Sequence, residues 1–351
     1  MMKPRIVGLM TAALTLTGVM AAPAAQAHNR PPATRFMETD LISDMAGAQV
    51  QDPKVLNAWG LALGPTTPLW VVDNGADSAT VYAGGAAGVT KRPLEVTVQD
   101  GAPTGEVFND TTGFMVNGSP AFFIFDSEAG AVTAWNPAGG TTAVKMAGTD
   151  GAIYKGLALL HTDQGPFLLA ADFHNARIDV FDANFAKVNL PRWAFRDRRL
   201  PRGYAPFDVA VVGDSVYVMY AKQDAAREDE VQGRGLGFVD VYKGLGAFGH
   251  RLVSRGPLNA PWGFAVAPDS FGTYAGDLLI GNFGDGRINA FSRFGHFRGP
   301  LRTANGKPIV IDGLWALLQG TATTGGTDSL WFSAGPNDEA DGLVGMISAQ
   351  P

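Results

Sequence analysis

The chain has 351 residues, of which 45 are glycine and 22 proline; 46% are apolar, 17% are charged and none is cysteine. That balance excludes a disordered linker, and it excludes long helices, because each interior glycine costs a helix roughly 1 kcal/mol. Without cysteine there are no disulfides, thiolate nucleophiles, zinc–thiolate sites or cysteine-held clusters, and a formal charge of −6 argues against non-specific nucleic-acid binding, which needs a concentrated positive surface.

The first 27 residues have the three-part layout of a secretory leader. Lys3 and Arg5 supply its charges, Ile6 to Ala22 its apolar run, and Ala25-Gln26-Ala27 the small-x-small site before His28. The run is too short for the ~20 residues of a membrane span, so the expectation is cleavage near Ala27 and a secreted or periplasmic protein. Residues 28–351 are then read as a single domain, with no later membrane segment and a monomeric state.

Thr34 to Ser43 (TRFMETDLIS) reads as one strand. After it, a single plan recurs: a loop with a polar or aromatic residue, an apolar strand, a turn, a second strand ending in a small polar group, and a third ending in an aromatic. NAWGLALGPTTPLWVVDNGADSATVY (Asn57–Tyr82) is the first copy. A weaker one follows at Asn109–Asn136, then copies starting at Tyr154, Tyr204, Asn259 and Asp312. Aligned on Trp59, Phe114, Gly156, Phe207, Trp262 and Trp315, they repeat at intervals of about 50 residues, a period that indicates stacked supersecondary units. Further strand-like stretches (Val89–Val98, Thr141–Met146, Lys187–Phe195) predict a fourth strand per copy. The expectation is an all-β, six-bladed β-propeller with four-stranded blades, its ring closed by the N-terminal strand, which removes exposed edges. Gln223–Gly235 (QDAAREDEVQGRG) interrupts the fourth copy as its most polar loop, a solvated loop or a lid.

LISDMAGAQVQDPKVLNAWGLALGPTTPLWVVDNGADSATVY (Leu41–Tyr82), ADFHNARIDVFD (Ala171–Asp182), APWGFAVAP (Ala260–Pro268), GNFGDGRINAF (Gly281–Phe291) and FSAGPNDEADGLVG (Phe332–Gly345) together resemble a family of secreted bacterial proteins of unassigned function with a giant-virus relative. The resemblance covers essentially the whole chain after the leader. It implies a six-bladed propeller related to the NHL and SMP-30-like groups, and it carries no catalytic residue with it.

In a propeller, loops leading into the innermost strands converge on the axis. Here they bring Asn57, Asn109, Asp110, Asn259 and Asp312, oxygen donors that suit calcium or another divalent cation. Such an ion polarises a carbonyl or activates water, and resemblance to the SMP-30-like lactonases implies this use. The same residue types also cap turns by bonding nearby backbone N–H groups. His174 beside Asp172, in DFHNAR, is the one candidate pair for general base chemistry. Arg177 and Arg287 hold equivalent places and read as making an inter-blade pairing with Asp172 or Asp285, with anion binding as the alternative. The readings are a secreted propeller binding a small molecule, glycan or protein at its axial face, a metal-assisted hydrolase or lactonase using that face, or a structural envelope-associated protein.

Overall fold

The computed structural model describes residues 34–350; the leader expected over 1–27 lies outside the described residues. Short alternating apolar runs bounded by glycine turns give an all-β chain, with helix confined to four 3-10 turns among the described residues. None of these helices is long and apolar enough to cross a membrane.

Six strands line one axis: Ala58–Ala62, Pro103–Phe108, Tyr154–Thr162, Tyr204–Val212, Pro261–Val266 and Leu314–Gln319. Each packs against the next, and the last against the first. The approach is close enough to require glycine. A Cβ on Gly60 would lie 2.5 Å from the Thr104 carbonyl oxygen, and one on Gly263 2.5 Å from that of Trp315.

Hydrogen bonding outward from these strands gives four blade-like sheets. One has three strands (Tyr154–Thr162, Gly165–Asp172, Arg177–Asp182) and two have four, starting at Tyr204 and Pro261. In the five-stranded sheet, Phe36–Ser43 lies antiparallel to Leu343–Ala349, pairing Phe36 with Ala349 and Ser43 with Leu343. The remaining large sheet has eight strands, and its end strands, Ala58–Ala62 and Pro103–Phe108, come side by side so that it nearly closes on itself.

The six separate four-stranded blades expected from the repeats, and implied by the NHL- and SMP-30-like resemblance, are therefore corrected to a four-bladed propeller-like ring plus one near-closed eight-stranded sheet. The outer strands explain the difference. Gly88–Val98 runs for 11 residues, and its end pairs in parallel with Thr142–Gly148 through Thr97↔Thr142 and Val98↔Ala143. A Lys145–Asp100 ion pair of 2.6 Å supports the joint, and the first two copies fuse into one sheet. In the third copy, Lys187–Phe195 does not form a fourth strand. Only the bridge Phe181↔Lys187 forms, and Pro191, lacking an N–H, cannot extend it.

A second correction concerns the weaker copy. Its inner strand is Pro103–Phe108, ahead of Asn109, whereas Phe114 sits fully buried in a loop with φ of 54°. The aromatic alignment had displaced this copy by nearly ten residues relative to the others.

Candidate functional site

The axis has two unlike ends. At the upper end, where the inner strands begin, aromatic side chains fill it. Trp315 stacks on Trp59 at 3.7 Å and on Phe283 at 4.0 Å between ring centroids, and Phe207 and Trp262 each stand 5.8 Å from it. Lys155 is buried over the Trp59 face, its Nζ 5.2 Å from the ring centroid, a favourable cation–π placement. Its ammonium donates to Glu128 (2.6 Å) and to Asp229 (3.2 Å). Burial alone pushes this group down; Glu128, Asp229 and Glu230 outweigh it and hold the pKa above the usual lysine value.

Asp229 belongs to the polar loop 223–235, so that loop is pinned across the upper end. Gln223 Nε2 donates to the Phe173 carbonyl at 2.6 Å, and Gly233 N–H donates to Asn259 Oδ1 at 2.6 Å. Glu230, half-buried beside Lys155, is raised to about 7 by burial, with the charges of Glu339 and Asp229 adding to it.

Of the residues expected at a cation site, Asn57, Asn259 and Asp312 lie at this upper end. Asn57 Oδ1 accepts from Trp315 Nε1 (2.9 Å), and its amide donates to Glu339 (2.6 Å). Asp312 accepts from the Asn337 N–H at 3.0 Å. Asn109 and Asp110 follow their inner strand instead of preceding it, which puts them at the opposite, lower end. There Asn109 caps its own turn through Thr111, and Asp110 pairs with His161 at 3.0 Å. Among the described residues no group of three or more His, Asp or Glu is placed to hold a metal ion. The structure thus divides the five donors between two ends and gives each a neighbour of its own.

Asp172 is fully buried and bonded to Asn175 (2.9 Å) and Arg177 (3.1 Å). Burial raises its carboxyl, and the Asp179 charge adds to the rise while Asn175 and Arg177 oppose it. His174 does not figure among these partners; its carbonyl accepts from Gln223. Arg287 pairs with Asp285 at 2.9 Å, so the inter-blade pairing expected of the two repeated arginines is corrected: each holds an acid of its own sheet.

The lower end is open. A cavity of about 570 Å³ is walled by Leu61, Leu63, Phe108, Leu159, Val211 and Leu318, with Asp110 and His161 at its rim. Leu61, Glu106, Leu157 and Val209 are shared with a smaller inner chamber of about 100 Å³, which adds Asp208, Trp262 and Phe264. Glu106 and Asp208 are each only 7% exposed. Neither carboxylate oxygen of Glu106 has a hydrogen-bond partner. Burial, reinforced by the charge of Asp73, raises Glu106 well above the usual carboxylate range. Burial does the same to Asp208, with Asp126 adding to it and the Val209 N–H opposing.

Sequence reasoning missed both acids, and the repeat held the signal. Gly60 packs beside Thr104 and Glu106, Gly105 beside Gly156 and Leu157, and Gly156 beside Asp208. In that register Asp208 stands where other copies have Gly60, Gly105, Gly156 and Gly263. Glu106 stands where they have Leu61, Leu157, Val209 and Phe264. A buried unpaired carboxyl is costly, and nothing in the repeat plan requires one.

No protein-family model matches the sequence. Its architecture places it in the class of propeller-like all-β proteins. A virginiamycin B lyase from Staphylococcus aureus superposes with a TM-score of 0.51 at 11% identity, covering 90% of this chain and 99% of that one. The α-L-arabinofuranosidase of Fusarium graminearum superposes with a TM-score of 0.56 at 10% identity, covering 90% and 98%. At such identities the likeness shows fold alone. By sequence, the chain is 32% identical to one uncharacterized protein of Acanthamoeba polyphaga mimivirus over 310 residues, 84% of this chain and 76% of the relative. A second from the same virus is 32% identical over 312 residues, 84% and 81%. The chain belongs to the family of these mimivirus proteins.

Proposed function

We propose that this protein is an exported binding protein that takes a small organic molecule at the lower end of its axis. The single observation that carries this reading is the tandem cavity: an apolar mouth leading to an inner chamber where Glu106 has two unpartnered oxygens. Ligand sites are concave, largely apolar and equipped with a few convergent polar groups, and a buried polar group left unsatisfied calls for an explanation. The leader layout of residues 1–27 supports export.

A fluorinated fragment library screened by NMR tests the reading. Leu159 is only half-buried at the mouth, so Leu159→Trp fills the opening without repacking the core. Hits that bind the native protein and vanish in the variant support the site. A library with no hits, or hits indifferent to the substitution, overturns it.

A further inference from the structure

We propose that the axial cavity is built for a primary amine, its ammonium head held in the inner chamber between Glu106 and Asp208 and its apolar body lying in the mouth. This rests on the binding reading above and names the ligand class for that site. Two independent observations carry it. The first is shape: an apolar mouth of about 570 Å³ narrows to a chamber of about 100 Å³. The chamber is several times smaller than the mouth and suits a compact head group, with the body left in the mouth.

The second is the donor–acceptor inventory. Glu106, more than nine-tenths buried, borders both the mouth and the chamber, and its carboxylate oxygens meet no protein donor. Asp208 brings a second carboxyl to the same chamber. The side-chain N–H of the lining is that of Trp262, and it is spent on the Lys155 carbonyl at 2.7 Å. Every other side chain lining the chamber is aliphatic or aromatic or is a glycine. Burial favours the protonated form of both carboxyls in the empty chamber; once ionised they are acceptors with no side-chain donor beside them, and an ammonium supplies three donors with the complementary charge that stabilises that ionised form.

Lys155 does not neutralise the pair. Its ammonium is committed to Glu128 and Asp229 at the other end of the axis, with the Trp262 indole attached to its backbone between.

Isothermal titration of the full mature protein with hexylamine, hexanol and hexanoate at neutral pH tests this assignment. Hexylamine is expected to bind at least about tenfold more tightly than either, the range of a charge-assisted bond. E106Q is expected to remove that preference, so that hexylamine binds no more tightly than hexanol. Glu106 has no protein partner to lose, so the variant should fold; D208N provides the second variant if it does not. Hexanol or hexanoate binding as tightly as the amine overturns the amine assignment while leaving the cavity as a binding site. Failure of all three to bind overturns both. An amine preference that survives in both variants places the head group elsewhere and also overturns the proposal.

Discussion

The titration of Asp126 bears directly on the stability of the fold. The residue lies fully buried on the strand Phe123–Ser127, where Oδ1 accepts from the Gly105 N–H at 2.7 Å. Thr104 Oγ1 lies 2.9 Å from the same oxygen and 2.8 Å from the Tyr154 carbonyl. A hydroxyl has one proton to donate, so one of those two short contacts lacks a hydrogen unless the Asp126 carboxyl carries it. The neutral acid satisfies both. Burial raises this carboxyl from 3.8 to about 7, against the bonds from Thr104 and Gly105 that favour its charged form.

Between pH 4 and pH 7 the native state thus holds a proton that the unfolded chain has released. Stability falls as pH rises through that window. Three pH units at ~1.4 kcal/mol each give a loss of about 4 kcal/mol by pH 8. Asp126→Asn removes the ionisation and keeps the carbonyl acceptor for Gly105. The variant should match the native protein near pH 4 and exceed it by up to about 4 kcal/mol near pH 8. Urea denaturation of both proteins at pH 4.5, 6 and 8 measures this. Taking the difference between them cancels the buried acids that Asp126 does not act on, Asp73 and Glu106 among them. Parallel pH profiles for the two proteins would refute the reasoning.

Three further outcomes follow from features of the fold. Trp315→Ala removes the centre of the aromatic stack and the donor to Asn57, and should cost about 3–5 kcal/mol in chemical denaturation. Lys155→Met leaves Asp229 without its partner; limited proteolysis should then cut within residues 223–235 several-fold faster, with the rest of the protein intact. A chain starting at residue 44 lacks the partner of Leu343–Ala349, and the bared edge should drive self-association visible by light scattering. Unchanged denaturation, cleavage or particle size, respectively, would count against each account.

The sequence displayed the repeat wherever an inner strand carries its tryptophan next to a small residue, as at Trp59-Gly60, Trp262-Gly263 and Trp315-Ala316. The second copy lacks that pair. Its strand PTGEVF is marked by Gly105 alone, and Phe114 supplied a false landmark. The fusion of the first two copies was not legible, because the Thr97↔Thr142 pairing joins outer edges whose sequences look like any exposed strand. Asn57, Asn259 and Asp312 do gather at one end, but what fills that end is aromatic, and tryptophans near an axis read as ordinary core. The open cavity lies where the inner strands finish. Its two acids are visible in the sequence only after the copies are put in the register the structure reveals.

The pairing of Phe36 with Ala349 also orders events in time. Ile42 and Ser43 can pair early, with Val50 and Gln51, but the rest of the strand Phe36–Ser43 waits for its antiparallel partner until Leu343–Ala349 has been made. The sheet that joins the two ends of the ring is therefore completed only once residues 343–349 have been made, whatever the earlier copies have done. Once the latch closes, the ends of the described chain lie side by side. They can then be joined by a short linker, and new ends opened in a loop such as 223–235, without altering the order of strands around the axis.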